Sequence, residues 1–278
     1  GTRVWILSPE SALHPSRLRE ILEWEPTLLA VDEAHCLCEW GDDFRPAYGL
    51  LPDFAKSLGI KRTLWMSATF PRALYSDLAS RLPGNWMHQG SFELPERLAI
   101  RYDQVPFSER IERVRNSVAQ RTAPGIVFAG TRKNVGRYLG LLSPLRACLP
   151  YHAGMSDEER RNVERRLSEE SRAGQAATSV IATNAFGMGM DFPQFEWATL
   201  AQTPFSLLGL MQALGRVGRG GRAGTAELYW AEEDFRIAGF LVGSHDRERR
   251  SVRDLATLRT FLDGDAKVRR EILEVTFL

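Results

Sequence analysis

An apolar run, Leu28-Leu29-Ala30-Val31, ends in two adjacent carboxylates, Asp32-Glu33, and continues into Ala34-His35. A carboxylate at the carboxyl end of a parallel strand stands at the crevice where such sheets bind ligands, and there it can hold a magnesium ion. The chemistry that suits this pair is phosphoryl transfer. Asp32 would take the cation that bridges nucleotide phosphates, and Glu33 would orient and deprotonate the attacking water. A strand end capped by surface charges is the alternative reading.

Further along, Gln212-Ala213-Leu214-Gly215-Arg216-Val217-Gly218-Arg219-Gly220-Gly221-Arg222 sets two guanidiniums three residues apart. On a helix they would share a face, and as planar forks they could neutralise charge developing on a γ-phosphate. A Gly/Arg-rich surface loop that holds RNA non-specifically is the alternative. In Thr183-Asn184-Ala185-Phe186-Gly187-Met188-Gly189-Met190-Asp191 the glycines let backbone approach a phosphate closely, and Thr183 offers a hydroxyl to a nucleic-acid backbone. Trp40 and Phe44 beside Arg45 offer stacking faces next to a cation, as a reader of unpaired bases requires; simple packing of the aromatics stays open. Cys36 and Cys38 fall short of four metal ligands and read as packing residues.

These groups need elements to place them. Apolar runs of four to seven residues alternate with amphipathic stretches, the pattern of βαβ units around a parallel sheet. The predicted strands are Val4–Leu7, Thr27–Val31, Arg62–Met66, Gly125–Ala129, Ala147–Tyr151, Ser179–Ala182, Trp197–Gln202 and Thr225–Trp230. Predicted helices include Glu10–Glu23, Pro71–Arg81, Ser108–Arg121, Lys133–Leu142, Asp157–Glu170 and Leu207–Leu214. Pro83–Phe107, rich in Pro, Gly and polar residues, reads as a linker, and after Trp230 only helical periodicity remains.

With 278 residues, 44% hydrophobic and 26% charged, the chain is long enough for two globular units and excludes a disordered, collagen-like or coiled-coil protein. Lys plus Arg (36) nearly cancels Asp plus Glu (35), so any nucleic-acid surface must be a local patch. Only four of the basic residues are Lys, which favours bidentate grip on phosphate or reflects codon composition. No run of 18 apolar residues exists, so no membrane partner is expected. Three cysteines and no signal segment lead us to expect a cytoplasmic protein, nucleoid-associated if bacterial.

Asp32-Glu33-Ala34-His35 resembles the Walker B box of superfamily 2 helicases, and Cys36 to Tyr48, with its Glu39-Trp40-Gly41-Asp42-Asp43-Phe44-Arg45 core, resembles the aromatic-rich loop of RecQ helicases. Ser8-Pro9-Glu10 is similar to a strand-contacting motif, Ser67-Ala68-Thr69 to motif III, Ile126–Arg132 to motif IV and Ile181–Asp191 to motif V. Gln212–Arg222 matches motif VI, although Gly220 stands where the family usually has an acidic residue. Tyr151-His152-Ala153-Gly154-Met155 matches a further signature; without a nucleophile partner His152 is not read as a catalytic base.

The resemblance implies an α/β protein with two RecA-like parallel-sheet motor domains, the first incomplete at its N-terminus, followed by a short helical appendage. The expected divisions are 1–90, 91–231 and 232–278. It implies an ATP-dependent DNA helicase moving 3′ to 5′ on single-stranded and branched DNA, with ATP and Mg2+ as cofactors. Catalysis falls to Glu33, Arg216, Arg219 and the γ-phosphate sensor Gln212. Nucleotide and magnesium binding fall to Asp32, Ser67, Thr69, Gly189 and Asp191, the last a departure from the Asn expected in bacterial RecQ and a candidate ribose contact. Nucleic-acid binding falls to Trp40, Phe44, Arg45, Thr183 and His152.

Two features depart from the family. Val268 stands where the zinc-domain helix carries a cysteine, so no zinc is expected in this chain. No lysine follows a glycine, so the phosphate-cradling Gly-Lys-Ser/Thr loop is missing. From this and the start at Gly1 we expect a piece of a longer protein, inactive alone; a non-catalytic nucleic-acid binder with a degenerate RecA-like core is the alternative.

Overall fold

The computed structural model describes residues 3–38, 46–184, 186, 191–242 and 248–277. It is an α/β fold built on parallel strands, as expected, and it divides into two compact units: residues 1–92 with 271–278, and residues 93–270.

The first unit holds α1 (Pro9–Ala12), α2 (Pro15–Trp24), β1 (Leu28–Val31), α3 (Pro46–Ser57), β2 (Arg62–Trp65) and α4 (Arg72–Arg81). Strands β1 and β2 run parallel, with Leu28 opposite Arg62 and Val31 opposite Trp65. Three expectations change here. The single helix over Glu10–Glu23 is two helices, because the ring of Pro15 forbids helical backbone at His14, which is extended at φ −69°, ψ 130° and caps α2 instead. Val4–Leu7 forms no strand: Val4 and Ile6 are 79% and 89% exposed, and an apolar run becomes a strand only where a neighbour completes its ladder. Helix α3, which carries Pro52, was not anticipated.

The second unit is built on a six-stranded parallel sheet of order β3-β8-β7-β4-β6-β5. Its strands are β3 (Leu98–Gln104), β4 (Gly125–Phe128), β5 (Cys148–Tyr151), β6 (Ser179–Ala182), β7 (Trp197–Leu200) and β8 (Gly224–Trp230). Helices α5 (Arg110–Ala119), α6 (Arg132–Leu142), α7 (Asp157–Arg172) and α8 (Leu207–Leu214) connect them. Strands β4, β6 and β7 are buried throughout, as the near-continuous apolar sequence of a sheet covered on both faces requires. Gly125 is needed in β4 because any side chain there would overlap the Trp197 ring on β7, about 2.1 Å from an added Cβ. The expected linker Pro83–Phe107 contains β3, an edge strand in register with β8 from Leu98 opposite Gly224 to Gln104 opposite Trp230.

Beyond β8 follow α9 (Glu232–Val242), α10 (Glu248–Asp263) and α11 (Ala266–Thr276). They fall within the second unit as far as Arg270, and the chain from Glu271 onward belongs to the first. Arg259 ties α10 to α9: its guanidinium lies 5.0 Å from the Trp230 ring centre and donates to both carboxylate oxygens of Glu232.

Candidate nucleotide and nucleic-acid site

In the first unit the carboxyl ends of β1 and β2 are locked together. Met66 N–H donates to Val31 O and Ala34 N–H to Met66 O, each at 2.8 Å. The exposed Asp32 accepts its neighbour's N–H at 2.9 Å, and Glu33 then turns the chain at φ +51°, a backbone region that L side chains seldom occupy. That turn drives the next four residues, Ala34–Leu37, into a buried 3₁₀ turn and places His35 Nδ1 3.2 Å from Glu33 Oε2 and 2.8 Å from Ser67 Oγ. The Ser67 hydroxyl donates to Thr69 O, 2.9 Å away, so toward the imidazole Ser67 acts as acceptor and His35 Nδ1–H as donor, with Glu33 Oε2 beside the same nitrogen. Sequence reading singled out Glu33, Ser67 and Thr69 separately; the structure brings them together through His35.

Among the described residues no three His, Cys, Asp or Glu side chains converge as a metal cluster. Magnesium with a nucleotide needs none, since it takes one or two carboxylates and completes its shell with phosphate oxygens and water. Exposed Asp32 at a strand end fits that donor set. A groove of about 1080 Å³ runs along β2 in the same unit, lined by Trp65, Ser67, Tyr75 and Trp86 with Lys61 and Arg62.

In the second unit the shared helix face expected for Arg216 and Arg219 is absent. Helix α8 stops at Leu214, Gly215 caps it, and Arg219 opens a separate 3₁₀ turn, Arg219–Gly221. Gly218 makes that break at φ +72°, and Gly224 comes so close behind it that a Cβ there would fall about 2.8 Å from Gly218 N. Arg219 is held at two points of its fork: Nε donates to Gly215 O at 2.9 Å and Nη1 to Asp191 Oδ1 at 3.0 Å. Asp191, read from sequence as a ribose contact, thus engages Arg219. Gln212 and Arg216 are half-buried.

Thr183, at 2% exposure directly after β6, sits beneath the surface, and its N–H donates to Tyr151 O at 3.1 Å. The residue therefore does not lie open to a nucleic-acid backbone as the sequence implied. Half-buried His152 has an Nδ1 that is shielded from solvent and has no hydrogen-bond partner among the described residues. Nearby, the Ser156 N–H and hydroxyl hold the Glu159 carboxyl below its usual range, with a smaller contribution from His152. Cys36 is buried, in keeping with a packing role. Trp40, Phe44, Arg45 and Gly189 lie outside the described residues.

Sequence reading missed a polar cluster beneath the start of α8. Arg110, Thr203 and Asp234 are all buried there, and no linear spacing connects positions so far apart. The signal was indirect, a run of three acidic residues, Glu232, Glu233 and Asp234, in the first turn of α9.

Residues 109–221 match the helicase conserved C-terminal domain. The chain is 30% identical over 236 residues to the probable ATP-dependent DNA helicase RecS of Bacillus subtilis, covering 83% of this chain and 46% of that protein. It is 29% identical over 270 residues to the ATP-dependent DNA helicase RecQ of the same organism, covering 94% and 44%. The chain thus spans about half the length of these curated relatives. Among solved structures, Saccharomyces cerevisiae Dbp5 bound to RNA and ADP BeF3 superposes with a TM-score of 0.61 at 17% identity, covering 94% of this chain and 68% of that one, a likeness of fold.

Proposed function

Since the chain belongs to the RecQ-type superfamily 2 helicases, we propose that it is part of an ATP-dependent DNA helicase that couples hydrolysis to 3′-to-5′ movement along single-stranded DNA and to unwinding of duplex and branched DNA. The observation that carries this reading is the Glu33–His35–Ser67 connection, which ties the carboxylate placed to activate water to the loop that follows the neighbouring strand.

Bound Mg-ATP supplies the phosphoanhydride whose cleavage drives the cycle. Asp32 would hold the cation through its carboxylate, and Glu33 would take the proton of the attacking water, with His35 Nδ1 3.2 Å from its Oε2. Glu33 and Ser67 face the same imidazole nitrogen, which gives a route by which a change at one would reach the other. Arg219 offers a fork already steadied by Gly215 and Asp191, so that little orientation entropy remains to be lost when phosphate charge develops. Arg216 supplies a second guanidinium and Gln212 senses the γ-phosphate. Trp40, Phe44 and Arg45 contact unpaired bases and backbone, with His152 as a further contact. No Gly-Lys pair occurs in the 278 residues, so the phosphate-cradling loop is assigned to sequence outside them, and these residues alone should not turn over ATP.

The test is ATP hydrolysis by the full-length protein with single-stranded DNA, single-stranded RNA or neither, beside the 278-residue chain. Stimulation by DNA alone, with background hydrolysis by the short chain, is the expected result. Equal stimulation by RNA would redirect the assignment to an RNA helicase, and no hydrolysis under any condition would make the protein a non-catalytic binder.

A further inference from the structure

The buried carboxylate of Asp234 has no part in the chemistry above, yet it gathers an unusual number of donors. Arg110 Nη1 approaches both of its oxygens, at 2.6 and 2.5 Å. Its Oδ2 also accepts the Thr203 hydroxyl at 2.9 Å, the Thr203 N–H at 3.4 Å and the Ala231 N–H at 3.1 Å. Asp234 is 4% exposed, Arg110 6% and Thr203 6%.

Stability alone gives little reason for such a cluster, since a buried ion pair is often no more stabilising than apolar residues of the same volume. What it fixes is position. The Ala231 N–H, at the entrance of α9, bonds the carboxylate, and Asp234 N–H returns a bond to Ala231 O at 3.0 Å, so the carboxylate is anchored to the end of β8. From there it reaches Thr203, in the short connection between β7 and α8. Pro204 follows, which confines Thr203 to extended backbone, and its ring packs on the first turn of α8: a Cβ placed on Gly209 would lie about 3.5 Å from Pro204 Cβ. Ser206 then caps α8, its hydroxyl oxygen accepting the Gly209 N–H at 3.0 Å. Three residues, Pro204 to Ser206, thus separate Thr203 from the helix that carries Gln212 and leads to Arg216 and Arg219.

We propose that Asp234, acting through the Thr203 hydroxyl, is a positioning residue that sets the placement of α8 and of the arginines beyond it. This rests on the assignment of those arginines to ATP hydrolysis. The geometry makes helix α9 a brace for the hydrolytic machinery, in addition to its packing role.

Asp234 itself is a poor probe, because its loss strands a buried Arg110 charge and can unfold the unit. Thr203→Val removes only the hydroxyl donor, leaving Arg110 and Ala231 on the carboxylate, and Thr203→Ser restores it. In the full-length protein, Thr203→Val should lower kcat for DNA-stimulated ATP hydrolysis about 10-fold or more, with KM for ATP, Kd for single-stranded DNA and Tm little changed, and Thr203→Ser should recover most of the rate. Combined with Arg219→Ala, the Val variant should add far less than its single-mutant loss. An unchanged kcat, a loss explained by a fallen Tm, or full additivity with Arg219→Ala would overturn the proposal. Unchanged turnover in Arg219→Ala alone would instead sink the arginine assignment on which it rests, and the proposal with it.

Discussion

Glu33 occupies left-handed backbone at φ +51°, a strained conformation for a residue with a Cβ that costs of order 1 kcal/mol and is kept where the surroundings hold it. Here it aims a carboxylate and an imidazole at one another. In the full-length protein Glu33→Gln should leave ATP binding intact and reduce turnover at least about 100-fold, as loss of a general base does; nucleotide binding and steady-state hydrolysis measured side by side check it. Asp191→Ala should lower kcat about 3- to 10-fold with KM for ATP unchanged, because it loosens one anchor of the Arg219 fork. A rise in KM instead would return Asp191 to the ribose. At this scale the sequence revealed residue types but not partnerships. Asp32-Glu33 was legible because adjacent carboxylates after an apolar run are rare and purposeful. The Asp191–Arg219 pair and the Asp234 cluster were not, since tertiary contacts between distant positions leave no mark on local spacing.

Elements were most legible where burial is one-sided or complete. Helix α8 and strand β6 have the bounds that periodicity predicts, Leu207–Leu214 and Ser179–Ala182. Strand β3 was hidden because its sequence, Leu-Ala-Ile-Arg-Tyr-Asp-Gln, carries the charges of a half-exposed edge and lies among prolines. Helix α7 is set by local chemistry at both ends. Ser156 and Glu159 form a capping box at its start, and near its end Glu170 accepts bonds from Thr178 N–H, the Thr178 hydroxyl, Ala177 N–H and Arg166. Desolvation pushes the Glu170 carboxyl upward, but these donors outweigh it and hold it below its ordinary 4.5. A carboxyl depressed in the folded state contributes stability above pH 4.5 that disappears as pH falls through its folded value. Glu170→Gln should therefore lower unfolding free energy by about 1–2 kcal/mol at pH 7, with the difference from wild type shrinking toward pH 3 in urea titrations.

At the scale of the whole molecule, the alternation of strands and helices was legible; the path of the chain was not, since a separate helical part from 232 onward was expected, whereas residues up to Arg270 group with the second unit and those from Glu271 with the first. Nothing in an amphipathic stretch near residue 270 announces which unit it joins. Phe277 is buried in the first unit, with its ring centre 4.6 Å from that of Phe92 and a backbone bridge to Pro71. Phe277→Ala should cost that unit about 3–5 kcal/mol. Hydrogen exchange should then accelerate across β1 and β2 while β4, β6 and β7 keep their protection. The same contact orders events during synthesis. A ribosome releases residues in sequence, so 93–270 can acquire all of its own side chains and fold before Phe277 has emerged. Within these residues the first unit therefore gains its Phe277 ring only after the whole of the second has been synthesised, and until then its half of the chemistry waits on a single aromatic side chain.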